Sequence, residues 1–141
     1  MKLIGNATIL GTMEIMAEVL TLGEKTGLGA PAVHELIQTL FPAPIMLNYA
    51  NKMTNDLFDG RAGFAIEGGI KDARHVQKLA GDNNSPLPTL DLAHRNLLTA
   101  RAIHSAQGQR GVQKHEVLDW SALVAGPRVA AGLDGLNSGK V

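Results

Sequence analysis

Lys2 and Asn6 stand four residues apart at the front of a long helical pattern. That spacing puts an ammonium and an amide on one helical face, where both can converge on a single substrate oxygen or carboxylate. Unperturbed lysine titrates near ~10.4, so acid/base work near neutrality asks for burial or a neighbouring cation; the alternative is a solvated lysine beside the chain terminus. Lys71 and Asp72 form a second charged pair, and adjacent helical positions point about 100° apart, so the two serve different surfaces. His94 adjoins Arg95 on another long helical pattern and is the pocket candidate among the five histidines, its alternative being a place on the polar face. None of His34, His75, His94, His104 and His115 pairs at metal-ligand spacing, so no metal site is expected. Glu14 and Glu18 are four apart on an apolar helix and suit either a paired-carboxylate site or an interhelical contact with Arg101 or His104. Ser121 has no local base, and Trp120 reads as a core anchor.

The elements that must position these residues are helical. Ile4, Ala7, Leu10, Met13, Ala17 and Leu20 recur at helical spacing over residues 2–26, stopped by Gly27 and Gly29. Pro31 fits the first turn of a second helix ending near Leu40, and Phe41-Pro42-Ala43-Pro44 must break the chain. Further helices are expected over 45–57, 65–80 and 87–107, with a short last one over 117–125. No segment alternates with a period of two for long enough to make a strand, so the fold class is all-α with about six helices. Glu67-Gly68-Gly69 places two glycines inside a helix, at a cost of about 1 kcal/mol each relative to Ala, which implies close backbone packing or space for a ligand. The expected division is a helical domain over 1–125 and a Gly-rich tail over 126–141, flexible or laid on a partner.

With 141 residues, 45% of them hydrophobic, the chain suffices for one domain with a real core. Thirteen basic against thirteen acidic residues, with no basic run interleaved with aromatics, give no nucleic-acid footprint. The absence of cysteine excludes disulfides and thiolate catalysis. Polar breaks at Asn6, Thr8 and Thr12 argue against a signal peptide or membrane span, so a cytoplasmic protein with no membrane partner is expected. Gly27-Leu28-Gly29-Ala30-Pro31-Ala32 formally satisfies a dinucleotide fingerprint but follows a helix, and Pro31 explains it as a helix-to-helix turn.

Taken in order, Lys2-Leu3-Ile4-Gly5-Asn6, Ile70-Lys71-Asp72, the proline segment from Ser85 to Ala93, and Asp119-Trp120-Ser121-Ala122-Leu123 resemble the C-terminal helical domain of the β-hydroxyacid dehydrogenases. These are the 3-hydroxyisobutyrate dehydrogenase and imine reductase relatives of 6-phosphogluconate dehydrogenase. The resemblance implies that Lys2 is the catalytic acid/base at a substrate hydroxyl or carbonyl oxygen, with Asn6 and Lys71 in the catalytic group and Asp72 toward the substrate or in a salt bridge; His94, the pocket candidate from its place beside Arg95, is added to the substrate-binding residues. It implies an interlocked homodimer too, and NAD(P) held by a separate Rossmann domain, with no cofactor bound by this chain itself. Gly5 replaces an asparagine usual in the family, and Leu40 to Pro44 stands where many members carry a Ser/Gly-rich loop.

A helical domain standing without its nucleotide-binding domain is thus expected. Its first functional reading is a dimeric binder of a small organic molecule doing non-redox acid/base chemistry of the isomerisation, cyclisation or dehydration type. Two others stand beside it: the substrate-binding and dimerisation part of an NAD(P)-dependent 3-hydroxyacid dehydrogenase or imine reductase, and a non-catalytic dimerisation module.

Overall fold

In the computed structural model, which describes residues 1–139, the chain forms six α-helices and one 3₁₀ helix. They are α1 (Lys2–Lys25), α2 (Ala30–Leu40), α3 (Pro44–Thr54), α4 (Ile66–Asp82), α5 (Pro88–Gln109), the 3₁₀ helix (Trp120–Val124) and α6 (Ala125–Ala130). Among the described residues the only β pairing is two isolated antiparallel bridges, Asp59 with Leu118 and Ala65 with Asp119.

Leu10, Met13, Ala17 and Leu20 make one stripe at helical spacing and are at most 1% exposed, which sets α1 at the centre with the other elements packed around it. By length and composition α1 is also apolar enough to cross a membrane, contrary to the expectation drawn from its polar breaks. In this fold it is the core helix, with Glu14 buried in its middle. Gly27 and Gly29 both take positive φ, at 79° and 89°, and turn the chain from α1 into α2. Pro31, Pro44 and Pro88 each stand in the first turn of a helix, where a missing N–H costs nothing.

Differences from the expected elements have local causes. α3 stops at Thr54 because Asp56 adopts φ 54°, and the Leu57 amide turns back to the Lys52 carbonyl. The last helix of the sequence pattern is a 3₁₀ helix whose N-cap is Asp119; Gly126-Pro127, expected to begin the Gly-rich tail, stands in the first turn of α6 instead.

The tail also departs from its expected role, since residues 126–139 pack on their own domain. Arg128 is 1% exposed, donates to Asp56 Oδ1 at 2.8 Å and the Met53 carbonyl at 2.8 Å, and lies 3.6 Å from Glu24. A buried guanidinium is tolerable only with such partners. Gly126 and Gly135 serve close packing: a side chain at Gly126 would run into Asn96, and one at Gly135 into Ile103. Residues 140–141 of the expected tail lie outside the described residues.

A polar and aromatic knot locks the end of the domain to α3 and α4. Trp120 donates its indole N–H to the Tyr49 hydroxyl at 2.8 Å and packs on Phe64 at 4.4 Å between ring centroids, confirming it as a core anchor. Fully buried Asp119 accepts from Lys52 Nζ at 3.0 Å, the Phe64 amide at 2.8 Å and the Ser121 amide at 2.9 Å. The glycines in the first turn of α4 serve this packing, because a Cβ at Gly69 would lie 3.1 Å from Trp120 and one at Gly68 3.1 Å from Phe64.

Candidate functional site

The front of α1 meets α4 at Asp72. Lys2 and Asn6 share a face of α1 as their spacing requires, and both reach the same oxygen: Lys2 Nζ lies 3.3 Å from Asp72 Oδ2, and Asn6 donates its amide to Oδ2 at 2.7 Å. Asp72 is 2% exposed, whereas the Lys2 side chain is 69% exposed. The carboxylate is therefore a fixed anchor and the ammonium its solvent-facing partner. Burial would push the Asp72 carboxyl up, but hydrogen bonds from Lys2 and Asn6 and the charges of Lys2 and Lys71 outweigh it and hold the group below the usual carboxylate range.

Lys71 is exposed and contributes to this site through its charge, so the two members of the Lys71-Asp72 pair do serve different surfaces. His94 stands elsewhere. Its electrostatic neighbours are Arg74, Asp91 and Arg101, and Arg74 lies two positions beyond Asp72, on the far side of α4. Burial first and the Arg74 charge second lower its imidazole from the ordinary value, which favours the neutral form. The structure thus assembles Lys2, Asn6 and Asp72, sets Lys71 beside them, and leaves His94 apart.

A second carboxylate cluster lies deeper. Glu14, 1% exposed, accepts from the Asn96 amide of α5 at 2.7 Å, while its other oxygen is buried without a hydrogen-bond partner. The expected partners are engaged elsewhere: Arg101 pairs with Glu67 at 3.2 Å, and the His104 ring with the His115 carbonyl at 2.7 Å. Burial, opposed by the Asn96 hydrogen bond and reinforced by Glu18, raises the Glu14 carboxyl to about 7. Asn96 carries no sequence signal for this role, as it lies 82 residues away along the chain.

None of the described residues builds a dinucleotide cradle of the strand-turn-helix kind. The Gly27-Leu28-Gly29 run joins two helices, and no strand precedes it.

The site thus lies at the front of the central helix of an all-helical domain, where Lys2 and Asn6 meet the buried Asp72. The family described as NAD-binding of NADP-dependent 3-hydroxyisobutyrate dehydrogenase matches residues 1–118, and the chain belongs to it. An NADH-dependent oxidoreductase of Aspergillus ustus, ucdB, is 26% identical over 98 residues, covering 69% of this chain and 34% of that protein. The uncharacterized oxidoreductase YfjR of Bacillus subtilis (strain 168) is 28% identical over 120 residues, covering 84% of this chain and 38% of that protein. The chain spans little more than a third of the length of these curated relatives.

Proposed function

We propose that this domain supplies the proton-transfer and oxygen-binding part of a hydroxyacid oxidoreductase site. The supporting observation is the shared Asp72 oxygen that receives both Lys2 and Asn6. Lys2 exchanges a proton with the substrate's hydroxyl or carbonyl oxygen, and Asp72 aims it. Asn6 fixes the same carboxylate from the adjacent turn, and exposed Lys71 offers a charge for the substrate's carboxylate. The substrate class is a small hydroxy acid or its oxo form, in keeping with the family description and with the oxidoreductase names of both relatives. No hydride step is assigned to these residues, and a nicotinamide, if used, would be held with a separate Rossmann domain. Because Lys2, Asn6 and Asp72 assemble within one chain, the same site also suits acid/base chemistry without redox, of the isomerisation, cyclisation or dehydration type.

The test is an amide NMR titration of the chain with 3-hydroxyisobutyrate. Shifts centred on Lys2, Asn6 and Lys71 are expected, with affinity falling about tenfold in Lys2→Ala, the loss of one charge-assisted hydrogen bond. Shifts centred elsewhere, or unchanged in Lys2→Ala, would overturn the assignment.

A further inference from the structure

Glu14 and Glu18 stand one turn apart on α1, and their carboxyls lie within hydrogen-bond reach of each other. Asn96 holds one Glu14 oxygen, Oε1, at 2.7 Å. The other, Oε2, is buried without a donor, on a residue 1% exposed. An ionised carboxylate has no proton to give, so Glu18 cannot be that donor while both groups are charged. Glu18 is the charged group that acts on Glu14, and α5 faces it with the neutral amide of Asn96; neither brings a positive charge. The pair is thus one positive charge short, and a proton or a cation has to stand between the two groups.

The same two residues line a surface cleft of about 300 Å³ between α1 and the first turns of α5. Ile15, Pro88, Thr89 and Leu92 complete its walls, and Ile15 is 53% exposed. The cleft is acidic where Glu14 and Glu18 close it and largely apolar elsewhere. Glu18 is exposed, so its side chain can turn aside to admit a ligand. A hard divalent cation asks for six or more oxygen ligands, and among the described residues no group of three acidic or histidine side chains is placed to hold a metal. An organic cation suits the apolar walls better.

We propose that this cleft binds a small primary alkylammonium ion, its N–H groups shared between Glu14 Oε2 and the Glu18 carboxylate and its alkyl chain laid on Ile15, Pro88 and Leu92. On binding, the proton held by the pair leaves to solvent and the ammonium takes its place, so the charge of the pair is balanced in both states. The cleft lies roughly 18 Å along α1 from Lys2 and does not depend on the proton-transfer assignment.

The probe is n-butylammonium chloride, whose amine titrates near the lysine value of ~10.4 and stays charged near neutrality. Carboxyl and amide NMR of the chain should show shifts centred on Glu14, Glu18 and Leu92. The dissociation constant should rise about tenfold for each pH unit below the Glu14 value of about 7 and level off above it, because the proton competes for the site. At pH ~8.5, Glu18→Gln on the surface should weaken binding about tenfold or more. Glu14→Gln should do the same, with circular dichroism checking its fold. Tetramethylammonium chloride, with the same charge and no N–H, should leave both carboxyls unmoved. No shift at about 50 mM n-butylammonium, an affinity indifferent to pH or to Glu18→Gln, equal binding of tetramethylammonium, or the same shifts with magnesium chloride would each overturn the proposal.

Discussion

Two carboxylates tie α1 to its neighbours, and each accepts an asparagine amide at 2.7 Å: Asp72 from Asn6, and Glu14 from Asn96. Both are almost fully buried, at 2% and 1% exposed. They titrate in opposite directions. Asp72 has Lys2 beside it and Lys71 next in sequence, and is held below the ordinary range; Glu14 has Glu18 beside it and is raised to about 7. Burial raises both: at Glu14 it prevails over the single opposing hydrogen bond from Asn96, with Glu18 adding to it, whereas at Asp72 the hydrogen bonds from Lys2 and Asn6 and the charges of Lys2 and Lys71 together outweigh it. One carboxylate anchors a cation at the solvent edge, where chemistry is possible, and the other keeps a proton inside the core.

The largest expected effect lies on the Glu14 side. Between the ordinary value of 4.5 and its raised value of about 7, the folded chain holds a proton that the unfolded chain releases. Stability therefore falls as pH rises through that window, by up to about 3 kcal/mol. Glu14→Gln should flatten this slope and gain nearly that amount above pH ~8, as read by urea denaturation at a series of pH values. Asn96→Ala comes next: it takes away the amide hydrogen bond to the buried Glu14 carboxyl and should cost about 2 kcal/mol at pH ~7, by the same measurement. Lys2→Ala should cost under about 1 kcal/mol at neutral pH, because Lys2 is 69% exposed and its ion pair is screened by water. Its signature lies in acid. The stability contributed by Asp72 is present above its unfolded pKa and lost as pH falls through the depressed folded value. Without Lys2 that loss should begin at a higher pH, seen in an acid-unfolding curve.

Much of this fold was legible in the sequence because helical periodicity is a local property. The stripe from Leu10 to Leu20 places α1, and the prolines at 31, 44 and 88 mark where helices begin. Pro127 carries the same signal, yet with Gly126 it falls in the expected Gly-rich tail; the glycine answers to the space taken by Asn96, which no local pattern records. For the site, the shared face of Lys2 and Asn6 follows from their spacing. That Asp72, 66 residues beyond Asn6, closes on both does not follow from it. Asp72 is expected toward the substrate or in a salt bridge, and the structure shows it paired with the lysine. Asn96, Asp56 and Glu24, the partners of Glu14 and Arg128, were missed for one reason: each buried charge must find a partner, and only the packed fold decides which.

The most direct test is a carboxyl ¹³C NMR titration that follows Asp72 and Glu14 in the same sample. The account predicts that Glu14 titrates near 7 and Asp72 below the ordinary aspartate range, with Asp72 moving up in Lys2→Ala. Two carboxyls titrating together near their ordinary values, or an Asp72 indifferent to the loss of Lys2, would contradict it.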